Sequence, residues 1–356
     1  MIWENDMIGE LLEEVELSGL DRFLDDSGIS MTFYELLEKI IAQGWGVDSI
    51  TDIVFWVKDL LFAEISANKM IFLEVILITF CFSLLRNSAG SFGSSYISDV
   101  CFLLVYSVLA LMLLKSMYIF QGVVAHAIEQ SVSFMQVFVP CFCTGMFFSS
   151  NTYTSVGFYQ IAFLVIYLAE WVFEKIFLPC IHVYVLLQIF NHFFEETQFG
   201  NLAELLETVV NWGLKMVGAA VLGLNVVQNL ISPVKDRISQ GTIAKVVSAI
   251  PGAGGAVGSV SEVFLGSGMI IKNGIGLAGI VVLLCIGVGP LLKTGVLAFL
   301  YKVMAAVTEP LSDRRISDCM KQLSGAALLY IKIQGYCLMM FFITIALTVS
   351  ATSFAF

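Results

Sequence analysis

Residues Ile275 to Leu292 read IGLAGIVVLLCIGVGPLL, eighteen residues without a charge. As a helix rising 1.5 Å per residue, the run crosses a hydrocarbon core about 30 Å thick. Lys272 and Lys293 stand at its two edges, and Lys302 lies in apolar sequence beyond it. A lysine held at the centre of a membrane helix costs about 2.5–3.5 kcal/mol on insertion scales. Near an end it reaches the headgroups at much lower cost. The stretch therefore reads as membrane-embedded, with paired, wet or interfacial lysines at its borders. Twelve of the chain's 29 glycines fall between Gly252 and Gly295, so close backbone approach is concentrated here.

The whole composition agrees. The chain is 58% hydrophobic and 13% charged, with a mean hydropathy of +0.89. Soluble domains carry about 25% charged residues, so the expected fold is an all-α polytopic integral membrane protein. Counting apolar runs of about 20 residues predicts roughly eight or nine transmembrane helices. They fall near 70–85, 97–120, 132–148, 156–173, 176–190 and 209–231, in two segments around Pro290, and at 323–349. Pro140 and Pro290 are expected to kink or divide their helices, and Glu174-Lys175 marks either a hairpin or one long bent helix. The resulting divisions are an acidic leader at 1–69, membrane helices at 70–231, a polar, glycine-rich connector at 232–268 and C-terminal membrane helices at 269–356.

Charge is unevenly placed. Residues 1–69 carry fifteen acidic and four basic side chains, the whole net charge of −11, and the rest of the chain sums to zero. Such a leader repels nucleic acid and anionic membrane surfaces and fits an extracytoplasmic, solvated segment. Its apolar residues keep helical spacing, with Thr32 as N-cap and Glu35 three positions on completing a capping box. The first residues lack both the basic and the apolar regions of a signal peptide.

Other motifs favour packing over chemistry. Gly252, Gly254 and Val257 do not complete G-x-G-x-x-G, and no Walker lysine–serine pair follows a glycine run. Gly254-x-x-x-Gly258, Gly274-x-x-x-Ala278 and Ala219-x-x-x-Gly223 are instead expected to be close-contact helix faces. The eight cysteines lack metal-type spacing and read as packing residues. His192 with Glu195 and Glu196 shares a helix face but offers too few ligands for a metal site. No nucleophile comes with a recognisable base, so no enzyme activity, cofactor or metal is expected. Among the intramembrane ionisable groups, Lys272 with Asn273 is the strongest candidate for a buried polar contact or pathway.

A set of motifs runs through the second half. Ile270-Ile271-Lys272-Asn273 comes first, followed by the proline-centred hairpin at Pro290 and then Tyr301-Lys302 with Ala305-Ala306. Pro310-Leu311 with Asp313 and Cys319 completes it. In this order and spacing, and with Leu61-Phe62-Ala63-Glu64 and Ala67-Asn68 upstream, it resembles the stage III sporulation protein AE family. The resemblance implies an integral subunit of a specialised channel or secretion complex in the mother-cell membrane around the engulfed forespore. Its implied partners are the other stage III sporulation A-operon proteins, including a separate ATPase subunit, and the forespore stage II sporulation protein Q, together with membrane lipid and without nucleic acid. Family members generally begin with a signal peptide, from which this N-terminus departs. The residues expected to matter for function or packing are Gly254, Gly258, Lys272, Asn273, Gly274, Pro290, Lys302, Pro310 and Asp313. The rival reading is a secondary transporter in which Lys272, Asn273 and Glu309 handle an ion or small solute.

Overall fold

A computed structural model describes residues 17–26, 32–37, 62, 65–66, 69–70, 73–81, 95–148, 152–193, 199–248, 254–310 and 314–353. These residues are almost wholly helical. A short helix α1 (Ser18–Asp26) precedes five long ones: α2 (Ser95–Phe148), α3 (152–193), α4 (Gly200–Ser248), α5 (Gly254–Thr308) and α6 (Arg314–Ser353). The longest, α5, has 55 residues and is about 80 Å long.

Side-chain pairs fix the topology. Along α5 and α6, Gly276 faces Val349, Gly287 faces Leu338 and Thr294 bonds Gln334, so the two helices are antiparallel. Between α2 and α5, Gly145 faces Ile275 and Gly279 faces Phe138, while the Tyr301 hydroxyl reaches Ser116. That pair is antiparallel too. Lys332 with Asn211 and Asn225 with Thr344 run α4 parallel to α6. The result is an up-down-up-down-up bundle whose core is a continuous set of buried apolar side chains.

Two expected breaks are absent. Pro290 lies inside α5 and Pro140 inside α2, and neither ends its helix. Each proline is followed four residues on by a threonine whose hydroxyl donates to the proline carbonyl, Thr294 to Pro290 and Thr144 to Pro140, both at 3.1 Å. These back-bonds do not replace the missing N–H, whose acceptor lies one turn before the proline; packing on both sides carries the helix through, as membrane bundles permit. The Pro290 hairpin expected from sequence is therefore one helix. Glu174-Lys175 sits in a π-helical stretch, Ala169–Phe177, within the unbroken α3. That is the single bent helix of the two alternatives. The stretch expected to connect at 232–268 is helical in α4 up to Ser248 and in α5 from Gly254.

These mergers change the span count. Among the described residues, four helices are long and apolar enough to cross a membrane: Phe102–Phe147, Gly200–Ile231, Gly266–Thr308 and Arg314–Ser350.

The leader is described at two short stretches. Thr32 N–H donates to Glu35 Oε2 at 3.3 Å, and Glu35 N–H donates to Thr32 Oγ1 at 3.2 Å, which closes the capping box. Asp21 Oδ1 accepts the Phe33 N–H at 2.7 Å, tying α1 to this turn. Leu20 and Leu24 are buried, and Phe23 packs against Phe134 of α2.

Candidate functional site

The five long helices share a division that only their alignment reveals. Residues 130–148, 152–169, 216–234, 273–292 and 333–353 each lack a charge. The pairs Phe142–Phe158, Asn225–Thr344 and Gly276–Val349 place these stretches side by side. Each is about 27–32 Å long as a helix, the depth of a bilayer's hydrocarbon. One ionisable residue closes each stretch at the same end of the bundle: Glu129, Glu170, Lys215, Lys293 and Lys332. Together they form a charged collar around the middle of the rods. Glu129, Glu170, Lys215, Lys293 and Lys332 are all exposed.

At the far end of the charge-free half lie two buried ionisable side chains. Lys272 is wholly buried, on the α5 face that passes Gly145, whose added Cβ would lie 3.7 Å from the Lys272 Cα. Asp236 of α4 is also buried. Its Oδ1 accepts the Tyr153 N–H at 2.8 Å, and its Oδ2 accepts the Thr154 N–H at 3.0 Å and the Thr154 hydroxyl at 2.5 Å. A carboxylate on the first free N–H groups of α3 satisfies orphan donors and meets the positive end of the helix dipole.

Between collar and far end the interior is tightly packed by glycine. A Cβ at Gly279 would overlap the Phe138 ring, and one at Gly287 would overlap Leu338. Only hydrogen fits there. A sparse polar seam follows the same interior: Thr294 Oγ1 lies 3.0 Å from Gln334 Oε1, and Asn225 Nδ2 donates to Thr344 at 3.2 Å. Below the collar, Tyr106 donates to the Ile189 carbonyl at 2.7 Å, and the Arg315 guanidinium lies 4.1 Å over the Phe102 ring.

The residues singled out from sequence scatter over this frame. Lys272 and Gly274 are buried, Asn273 is half-buried, and Lys302 and Pro310 are exposed. Gly254 and Gly258 belong to the first turns of α5, and Asp313 lies outside the described residues. Ala219 and Gly223 are exposed, with no neighbour within 4 Å of a Cβ placed at Gly223, so that motif packs on no helix of the bundle. Glu309 pairs with Lys321 at 3.0 Å. It stands 37 residues along α5 from Lys272, about 55 Å away. The three-residue ion site of the transporter reading is therefore not assembled. His192 Nδ1 is 2.7 Å from the Gln188 carbonyl oxygen, and Glu195 and Glu196 lie outside the described residues.

The stage III sporulation protein AE family profile matches residues 31–352, nearly the whole bundle. The chain belongs to the stage III sporulation protein AE family. It is 26% identical to the stage III sporulation protein AE of Bacillus subtilis (strain 168) over 301 residues, which covers 83% of this chain and 75% of the relative. No solved structure matches. Membership makes this a sporulation protein, and its long apolar helices make it a transmembrane one. In this member of the family, sequence alone missed Asp236, the collar and the Gly279 and Gly287 contacts. Asp236 reads as one more polar residue in a polar stretch, and the others appear only when antiparallel helices are laid side by side.

Proposed function

We propose that this protein is an integral scaffold or wall subunit of a sporulation channel or secretion complex. The complex would connect the mother cell with the engulfed forespore and serve forespore development after engulfment. The observation that carries this reading is an excess of apolar length. The apolar helix Phe102–Phe147 has 46 residues, about 69 Å, more than twice a hydrocarbon core. Below the collar, α2 and α4 keep exposed Leu104, Leu111, Tyr118, Leu202 and Leu205. A bilayer filled by the charge-free half cannot cover that surface, whereas neighbouring subunits can. The family resemblance names the partners: other stage III sporulation A-operon proteins, a separate ATPase subunit among them, and stage II sporulation protein Q of the forespore.

Basic residues mark cytoplasmic ends of membrane helices. We take the collar end, with Arg314, Arg315 and Lys321 beyond it, as the side that faces the mother-cell cytoplasm. Phe23 of α1 packs on Phe134 and Gly19 meets Val137, five and eight residues into the charge-free stretch of α2, so we place α1 against the collar-side part of that stretch. The outside location expected from its acidity rests on residues with little topological weight.

The test is deletion in the source organism with counts of heat-resistant spores and microscopy. Arrest after engulfment with normal vegetative growth is the expected result. Normal spore counts overturn the reading.

A further inference from the structure

Between α4 and α6 an outward-facing groove of about 280 Å³ runs from the collar into the charge-free half. Gly218, Ala219, Leu222, Tyr336 and Met339 line it, and Lys215 stands at its collar end. The Lys332 ammonium is held by Asn211 Oδ1 at 2.8 Å, and Asn211 lies one helical turn from Lys215 on the same face of α4. Two cations thus flank one mouth of an apolar trough. No acidic residue occurs from 208 to 235 on α4 or from 319 to 353 on α6. On α4 the carboxylate that precedes the groove, Glu207, lies a further turn away and takes the Tyr184 hydroxyl at 3.4 Å, while Glu170 of α3 belongs to the same collar.

We propose that this groove is a binding site for an anionic phospholipid. One acyl chain lies along Gly218, Leu222, Tyr336 and Met339, and the phosphate sits between the Lys215 and Lys332 ammonium groups. The chemistry matches at both ends: a hydrocarbon trough at hydrocarbon depth, and paired cations at headgroup depth where anionic lipid is favoured. The shape suits one flexible chain; a folded ligand of drug size takes a pocket of about 300–1,000 Å³. The site rests on placing the charge-free half of the bundle in the bilayer.

Trp212 reports on it directly, being exposed and three residues before Lys215 on the same helical face. A full-length variant keeping only this tryptophan (Trp3, Trp45, Trp56 and Trp171 each →Phe) is reconstituted into phosphatidylcholine vesicles. These carry a minor fraction of brominated phosphatidylglycerol or of brominated phosphatidylcholine. Each lysine at headgroup depth favours an anionic lipid roughly fivefold, so with two lysines quenching should report about 25-fold enrichment of phosphatidylglycerol. Lys215→Gln with Lys332→Gln should abolish the preference while leaving quenching by phosphatidylcholine. Ala219→Phe, which fills the trough and keeps both charges, should weaken it. Equal quenching by the two lipids, or a preference that survives the double substitution, overturns the lipid site. Absence of quenching by either lipid overturns the membrane placement itself, and a protein helix or a second copy then covers the groove.

Discussion

Replacing glycine by alanine at three positions of α5 tests the packing account with its own control. At Gly279 the new methyl falls on Phe138, which is itself fully buried and stacked between Phe134 and Phe142 with ring centroids 5.4 Å apart on each side. The ring has nowhere to retreat, so the whole α2–α5 contact must widen. Overpacking of this kind costs about 1–3 kcal/mol. At Gly287 the methyl meets Leu338, which is half-buried and freer to rotate, so the cost should fall at the lower end of that range. At Gly295 nothing lies within 4 Å of the added Cβ, and the residue sits mid-helix. There alanine should stabilise by up to about 1 kcal/mol through helix propensity. The expected order of stability is Gly295→Ala above wild type, then Gly287→Ala, then Gly279→Ala, with about 2–3 kcal/mol between the extremes. Reversible unfolding of the purified protein in mixed micelles measures it. Equal effects at Gly279 and Gly295 would refute the antiparallel register of α2 on α5.

Other expectations follow from single contacts. Lys272→Leu should leave membrane insertion intact, since removing a charge eases insertion, and should lower the heat-resistant spore count; full sporulation would dismiss Lys272 as a functional residue. Asp236→Asn should cost about 2 kcal/mol by weakening charge-assisted bonds to the start of α3. Combined with Thr154→Val it should cost less than the two single losses together, and strict additivity in the unfolding assay would argue against the contact. Thr32→Ala should cost about 1 kcal/mol, felt as faster amide exchange at residues 33–37 and not as a change in global unfolding.

Much of this was legible in the chain itself. The capping box of Thr32 and Glu35 needs only local spacing, and the membrane class needs only composition. Helix continuity was less accessible. A proline reads as a break because the rule concerns the bond it removes, while the packing that carries α2 and α5 through Pro140 and Pro290 comes from the neighbouring helices. The glycine pattern misled in a similar way. Ala219-x-x-x-Gly223 has the spacing of a contact and faces outward, whereas Gly279 and Gly287 are eight residues apart and make the tight approaches. Spacing reports which residues share a face; which face meets a neighbour depends on every helix at once. Lys272, expected at a buried polar contact or pathway, is buried, and the eighteen apolar residues on one side are what drew attention to it.

The collar changes how the apolar surplus is understood. Taken one at a time, Lys115, Lys175, Lys293 and Lys332 look like the ends of separate short spans, which is why eight spans were expected. Once the helices are continuous, those same residues are no longer helix ends. Glu129, Glu170, Lys215, Lys293 and Lys332 close their stretches at one level, and on the proposed placement the bilayer lies on the side of that level where the five charge-free stretches run. The half beyond the collar then carries apolar side chains without a bilayer to receive them. A chain working alone would pay for exposing Leu104, Leu111 and Leu205 in water; a chain built into a larger assembly has subunits to cover them. On the proposed reading, the unusual length of these helices and the need for partners are the same physical fact.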